Sequence, residues 1–282
     1  MRIALIADIH SNLPALEAVL TAIKSHSPDR IISLGDQVNL GPCPRETLAL
    51  LKAEGVTCLH GNHERYILSA MRKDPAYDGA NFASLRFNAS LINPEEITFG
   101  ETLEIEGTTF CHAMPGDDRF PVFDAARAIP MLKAMEFDRP MHIICGHGHN
   151  PTHIALPNLT LDSIGSVGCM DDGVPGTAPY AILTLKKDVS FLRPYSVAYD
   201  TDTLKPMFLR SGMADFCPIM SHIICLQMQQ NQDYLVGFVE RALSLSRERG
   251  EEQVSLSSWQ ETDARFPWPG GVDTASFWRH SK

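Results

Sequence analysis

The sequence predicts an α/β protein with parallel and antiparallel strands, built as two packed sheets or one mixed sheet. Short apolar runs that close on Gly, His or Asp recur along the first 150 residues, and stretches with helical spacing lie between several of them. Two further pairs of runs flank short turn signals of the hairpin kind.

Ile3 to Ala7 is a continuous apolar run, as in a strand buried on both faces. Ser11-Asn12-Leu13-Pro14 follows, and Pro14, with its fixed φ and no N–H to lose, suits the first turn of a helix carrying Leu16, Val19, Leu20 and Ile23. Ile31 to Leu34, Val56 to Leu59, Phe110 to His112 and Met141 to Cys145 are further runs, with helical patterns at about 44–53, 63–73 and 123–136. Thr102 to Ile105 and Thr108 to Cys111 flank Glu106-Gly107, and Ala181 to Leu185 and Val189 to Leu192 flank Lys186-Lys187-Asp188. Beyond Tyr199 one long helix is expected, from about Asp233 to Arg249.

The 3 tryptophans, Trp259, Trp268 and Trp278, all lie near the C-terminus. They are expected to dock on the same chain or a second subunit, because large aromatics left in water make an exposed apolar patch; a mobile tail is the other reading. With no convincing linker before about residue 250, the organisation is one domain over 1–250 and a tail over 251–282.

Of the 282 residues 44% are apolar and 21% charged, an ordinary globular composition that excludes disorder and collagen-like repeats. The formal net charge of −10 disfavours long nucleic acid and anionic membranes and favours a small substrate or a cationic centre. Seven cysteines without a C-x-x-C pair suggest neither a disulfide framework nor a cysteine zinc site. With no signal-peptide core and no membrane-length apolar run, a cytoplasmic location is expected, and self-association into a homo-oligomer is compatible with the chain.

Histidines and carboxylates fall where the runs end: Asp8-Ile9-His10, Gly35-Asp36, Gly61-Asn62-His63-Glu64, Cys111-His112 and Gly146-His147-Gly148-His149. In open α/β sheets the crevice beyond the carboxyl ends of the strands binds ligands, so distant residues converge there. Any one of these side chains alone reads as a helix cap or a satisfied polar group; their joint order carries the weight. Two carboxylates, an amide and four imidazoles suit Zn, Mn or Fe rather than Ca or Mg, and are too many for one ordinary site, so two adjacent ions are implied.

In these blocks the chain resembles the calcineurin-like metallophosphoesterases, whose ordered motifs read D-x-H, G-D, G-N-H-[DE], H and G-H-x-H. The resemblance runs from Arg2 to about Tyr199 and looks closest to the compact bacterial and archaeal phosphodiesterase branch. It implies a four-layer αββα sandwich of two mixed sheets flanked by helices. It also implies a dinuclear phosphoesterase that hydrolyses a small phosphate ester, foremost a phosphodiester, by in-line attack of a metal-bridging hydroxide. By the same resemblance Asp8, His10 and His149 would hold one ion, Asn62, His112 and His147 the other, and Asp36 would bridge them. Mn is favoured, with Fe or Zn as alternatives. His63 would face the leaving group as proton donor or charge stabiliser.

The departures matter. The Ser/Thr phosphatases and symmetrical dinucleoside tetraphosphatases continue the second block as G-D-x-V-D-R-G, but this chain reads Gly35-Asp36-Gln37-Val38-Asn39-Leu40-Gly41, without the phosphate-binding Arg or the Asp that orients the histidine. His63 is therefore expected to rely on Asp36 or a backbone carbonyl for its orientation. Ser163-Ile164-Gly165-Ser166 stands where N-P-G-S is common, and Glu64 is expected only as a first-turn acid. His26, His60 and His142 read as structural or exposed, His153 as a weaker substrate candidate, and Arg65, Arg86 and Arg119 as candidate phosphate contacts. The other functional reading is a partner-binding scaffold with little turnover; against it, no ligand position holds an inert residue.

Overall fold

The computed structural model describes residues 1–186 and 189–279, so Lys187 and Asp188 of the last expected hairpin turn and residues 280–282 of the tail lie outside the described residues. In chain order the first part runs β1 (Arg2–Ile6), α1 (Leu13–Lys24), β2 (Arg30–Ser33), α2 (Pro44–Ala53), β3 (Thr57–Cys58), α3 (Asn62–Met71) and α4 (Ala83–Ala89). β4 (Thr102–Ile105), β5 (Thr108–Cys111), α5 (Ala125–Ala134), β6 (Met141–Cys145), β7 (Thr152–Leu156), β8 (Leu159–Ser163), β9 (Thr177–Lys186) and β10 (Val189–Ala198) follow. The chain then becomes helical, with α6 (Leu204–Arg210), α7 (Met213–Phe216), α8 (Pro218–Gln230), α9 (Leu235–Glu248), α10 (Leu256–Arg265) and α11 (Thr274–Arg279).

The strands form two five-stranded mixed sheets, ordered β10-β9-β1-β2-β3 and β4-β5-β6-β8-β7. β1, β2 and β3 are parallel, with β9 antiparallel to β1. In the second sheet β5, β6 and β8 are parallel, with antiparallel β4 and β7 at the edges. The apolar run of β1 divides between two faces, as strand alternation requires. Ile3, Leu5 and Ala7 meet Ile32, Phe110, Ile144 and Leu183 between the sheets, while Ala4 and Ile6 face Leu16, Val19 and Ile23 of α1. Behind the second sheet, Ile143, Cys145 and Leu161 pack on Ala128 and Leu132 of α5. The layers are helix, sheet, sheet, helix, the αββα order expected.

Local chemistry accounts for the joins. The Asn12 side chain accepts from Ala15 N–H and Pro14 sits in the first turn of α1. Glu106 and Gly107 both have positive φ, 47° and 78°, as a tight hairpin turn demands.

Several elements depart from the sequence-based expectation. β3 pairs over two residues rather than four, and β9 and β10 extend well beyond their apolar runs. β7 and β8 were not anticipated: β8 alternates apolar and polar residues, and β7 offers only the three-residue run Ile154 to Leu156, of which Ile154 alone is buried. In α8, Ile219, Met220, Ile223, Ile224, Cys225, Leu226 and Met228 are all buried, so no amphipathic stripe marks it as a helix. Trp259 and Trp268, 3% and 6% exposed, pack on Phe238 of α9 with ring centroids 4.7 and 5.6 Å away, and half-buried Trp278 donates from Nε1 to Pro218 O at 3.0 Å. These aromatics dock on their own chain. Among the described residues no helix is long and apolar enough to cross a membrane.

Candidate metal centre

The loops that leave the C-terminal ends of β1, β2, β3, β5 and β6 meet at one end of the sandwich, and with the first turn of α3, which holds Asn62 and His63, they carry all eight singled-out side chains. Backbone hydrogen bonds lace the loops together: Asp8 N–H donates to Gly35 O, His10 N–H to Asp36 O, and Gly146 N–H to His112 O, at 3.0, 3.0 and 2.8 Å. Asp8, His10, Asp36, His147 and His149 all have φ between 51° and 59°, a left-handed conformation rare for these residues. That strain turns each side chain back toward the common centre and clusters where function resides. The glycines are required by crowding, since a Cβ on Gly61 would lie 2.2 Å from Asp36 Oδ1 and one on Gly146 2.7 Å from Asp8 Oδ2.

Three overlapping donor groups result, each with its ligand atoms within 4.8 Å of one another: Asp8, His10 and His149; His10, Asp36 and His63; and Asp36, His112 and His147. Asp36 is the shared member, with its Oδ2 3.3 Å from His112 Nε2, 3.9 Å from His63 Nε2 and 4.0 Å from His10 Nε2. His10 Nε2 and His149 Nε2 stand 3.1 Å apart, and Asn62 Oδ1 lies 2.9 Å from His112 Nε2. The structure thus brings Asp8, His10, Asp36, Asn62, His63, His112, His147 and His149 together.

Electrostatics match this donor set. Burial pushes His147 down to about 3 and His149 to about 4, so both are neutral imidazoles with a lone pair to offer. Burial also raises Asp8 well above the usual carboxylate range, with Asp36 adding to it and His112 opposing, a balance that a cation would relieve. Burial acts in the same direction on Asp36, but His112 and His63 overcome it and hold that carboxyl well below its ordinary value. His112, opposed by its own burial, is raised to about 10 by Asp36. A cage centred on the Asp36 carboxylate, with neutral imidazoles at His10, His147 and His149, one amide, and a proton on His112 that a cation would displace, fits divalent transition ions.

Two supporting residues differ from expectation. Glu64 is fully buried and does more than occupy a first turn: its carboxylate accepts from the N–H groups of Asp36, Gln37, Val38 and Gly61 at 2.8–3.3 Å, tying two ligand loops together. His63 is oriented through Nδ1 by the Asn39 amide at 2.8 Å, not by Asp36 or a carbonyl alone. Ser166 takes a comparable tying role, its Oγ donating to Asp8 O at 2.7 Å and its N–H to His149 O at 2.8 Å.

The secondary candidates separate cleanly. His26 bonds Tyr180, while His142 and His153 both bond Asp162 in another groove, so His153 stays away from the centre. Arg86 serves the carbonyls of Tyr77 and Gly79, Arg119 is exposed, and Arg65 pairs with Asp118 in a small recess shared with His60 and His112. Cys111 and Cys145 are buried thiols in the core, pushed up by that burial.

A cavity of about 380 Å³ opens beside His63, His147 and His149, and residues missed by sequence reading line it: Phe123, Asp171, Gln227, Asp233, Leu235 and Val236. A lone Gln inside the buried run of α8 was the available signal for Gln227; for Phe123 there was none.

Residues 1–172 match the family described as calcineurin-like phosphoesterase. The chain is similar to a metallophosphoesterase from Sphaerobacter thermophilus, at 26% identity and a TM-score of 0.58 over 75% of this chain and 95% of that one. It shares its fold with the hypothetical protein PH1004 from Pyrococcus horikoshii, at 16% identity and a TM-score of 0.62 over 82% and 99% of the two chains. The uncharacterized protein MJ0912 of Methanocaldococcus jannaschii is 33% identical over 121 residues, 40% of this chain; the match spans about half, 49%, of that relative's length.

Proposed function

Because the chain belongs to the calcineurin-like phosphoesterase family, we propose that it is a metal-dependent hydrolase of phosphate esters, with a phosphodiester as substrate. One observation carries this reading: two donor groups, Asp8, His10 and His149 on one side and Asp36, His112 and His147 on the other, stand next to each other, with Asp36 also reaching His10. Asn62 completes the second group through its contact with His112. When bound, two divalent ions, with Mn favoured and Fe or Zn as alternatives, would polarise the phosphoryl oxygens and lower the pKa of a shared water.

The chain's own residues would supply the rest. The neutral imidazoles of His10, His147 and His149 offer lone pairs, and Asp8 and Asp36 offset cationic charge. His63 lies outside the two groups, with Nε2 toward Asp36 and the centre, where it can deliver a proton to a leaving oxygen or stabilise charge on the phosphoryl group. Among the described residues no Lys or Arg lines the adjacent cavity, which suits a singly charged diester with a second organic arm better than a doubly charged monoester. The reading includes a cytoplasmic location, supported by seven free thiols.

Metal analysis together with turnover of bis(4-nitrophenyl) phosphate after Mn addition tests the proposal. Up to two ions per chain and metal-dependent hydrolysis are expected. Fewer than one ion with no turnover, or stable capture of a partner protein unaffected by chelation, would favour a scaffold instead.

A further inference from the structure

The cavity beside the centre has a wall built largely by helices beyond residue 172, where the family match ends. Gln227 comes from α8, Asp233 from the link between α8 and α9, and Leu235 and Val236 from the start of α9. The wall is pinned to the loop after β8: Asp233 N–H donates to Asp171 Oδ1 at 2.9 Å, and Gly173 N–H donates to Asn231 O at 2.7 Å.

Its charge is negative. Asp171 and Asp233 are the charged residues of the wall, and no Lys or Arg lines the cavity among the described residues, so a second phosphate or a carboxylate would be repelled there. Gln227 is only 4% exposed, yet its Oε1 has no hydrogen-bond partner among the described residues. A buried acceptor left unpaired is costly; turning the Gln227 amide over would bring Oε1 to the cavity side, where a donor on a ligand would remove the cost. Phe123, 58% exposed and with its ring 5.7 Å from that of His147, offers an aromatic face to a cation or a flat ring. Leu235 and Val236 supply apolar contact for carbon.

From this set we infer that the cavity receives the non-leaving arm of the substrate and selects an arm bearing an N–H-donating amino or ammonium group. The inference rests on the phosphodiesterase reading and narrows it. An aminoalkyl alcohol and an aminopurine nucleoside both supply such a group.

Three diesters that share the 4-nitrophenolate leaving group, with ethyl, 2-aminoethyl or 5′-adenosyl as the second arm, isolate the effect and distinguish the two sources. At least one amine-bearing diester should exceed the ethyl diester in kcat/KM by roughly tenfold or more, the range of one charge-assisted hydrogen bond. That ratio should shrink in Gln227→Leu and in Asp233→Asn; the latter keeps the acceptor that Asp233 Oδ1 presents to Leu235 and Val236 N–H while removing the charge. An ethyl diester turned over as well as both others, or a ratio unchanged in both variants, overturns the inference. If none of the three is hydrolysed, the phosphoesterase reading falls, and calorimetric titration of Mn-loaded protein with phosphoethanolamine, AMP and ethyl phosphate still decides the question. Tighter binding of an amine-bearing ester supports the inference, and equal binding of all three overturns it.

Discussion

Asn39 Nδ2 lies 2.8 Å from His63 Nδ1, across the ring from Asp36, whose Oδ2 is 3.9 Å from Nε2. An amide that donates to Nδ1 keeps the proton of the neutral ring on Nε2, the nitrogen facing the centre; turned over, it would accept from Nδ1–H. In neither orientation does it favour the imidazolium as a carboxylate would, and burial already lowers the pKa of His63. Asn39→Asp should therefore raise that pKa. The acid form then persists to higher pH, and the alkaline limb of the pH–rate profile for a poor leaving group should move up with it. A limb that stays in place would show that His63 is not the proton donor.

Metal retention should separate the histidines into two jobs. Loss of one imidazole from a site of about four ligands should lower metal content and activity together in His147→Ala and His149→Ala. His63→Ala should keep its metal and lose roughly 10²–10⁴-fold in turnover, with a smaller loss on good leaving groups that need little protonation. Metal analysis beside kinetics on paired aryl and alkyl diesters checks this. Loss of metal from His63→Ala would place it among the ligands.

Glu64 should matter well beyond helix capping. Its carboxylate serves four backbone N–H groups in two loops, and Glu64→Gln replaces one oxygen by a donor facing donors. The expected cost is about 2–4 kcal/mol of stability, with weaker metal binding because Asp36 loses its support. Chemical denaturation and metal titration measure both effects. A variant as stable as the parent and as tight for metal would reduce Glu64 to a first-turn acid.

His222 should make docking of the C-terminal helices sensitive to acid. It is buried, stacked 4.2 Å from both Trp268 and Phe277 and within 2.9 Å of Thr274 Oγ1, and burial followed by Lys205 lowers it from 6.5 to about 3. A histidine depressed in the folded state contributes fully above about pH 6.5, and that contribution is lost as pH falls toward 3, because the unfolded chain takes up the proton first. At pH 5 the loss should be roughly 2 kcal/mol. Comparing melting of the parent and His222→Leu at pH 7.5 and pH 5 cancels the histidines of the centre. The parent should lose more than the variant; equal losses would contradict the assignment.

By itself the sequence determined the elements whose burial is one-sided or complete over a short run, such as β1, α1 and β6, because hydrophobic period and turn chemistry are local properties. It also singled out the eight residues that converge, since each follows closely on a strand end; at Asp8, His10, Asp36, His147 and His149 left-handed backbone then turns the side chain toward the centre. Only the tertiary structure decided the rest. The contact of Asn39 with His63 and those of Glu64 with Asp36, Gln37 and Val38 span 24 to 28 residues of chain, so no short window on the sequence contains both partners. α8 is surrounded on all sides, which erases the periodicity that would have marked it. The wall of Gln227, Asp233 and Val236 faces the centre only because the end of α8 and the start of α9 fold back onto the loop after β8, where Asp233 meets Asp171 across 62 residues of chain, a closure set by core packing and not by any local preference.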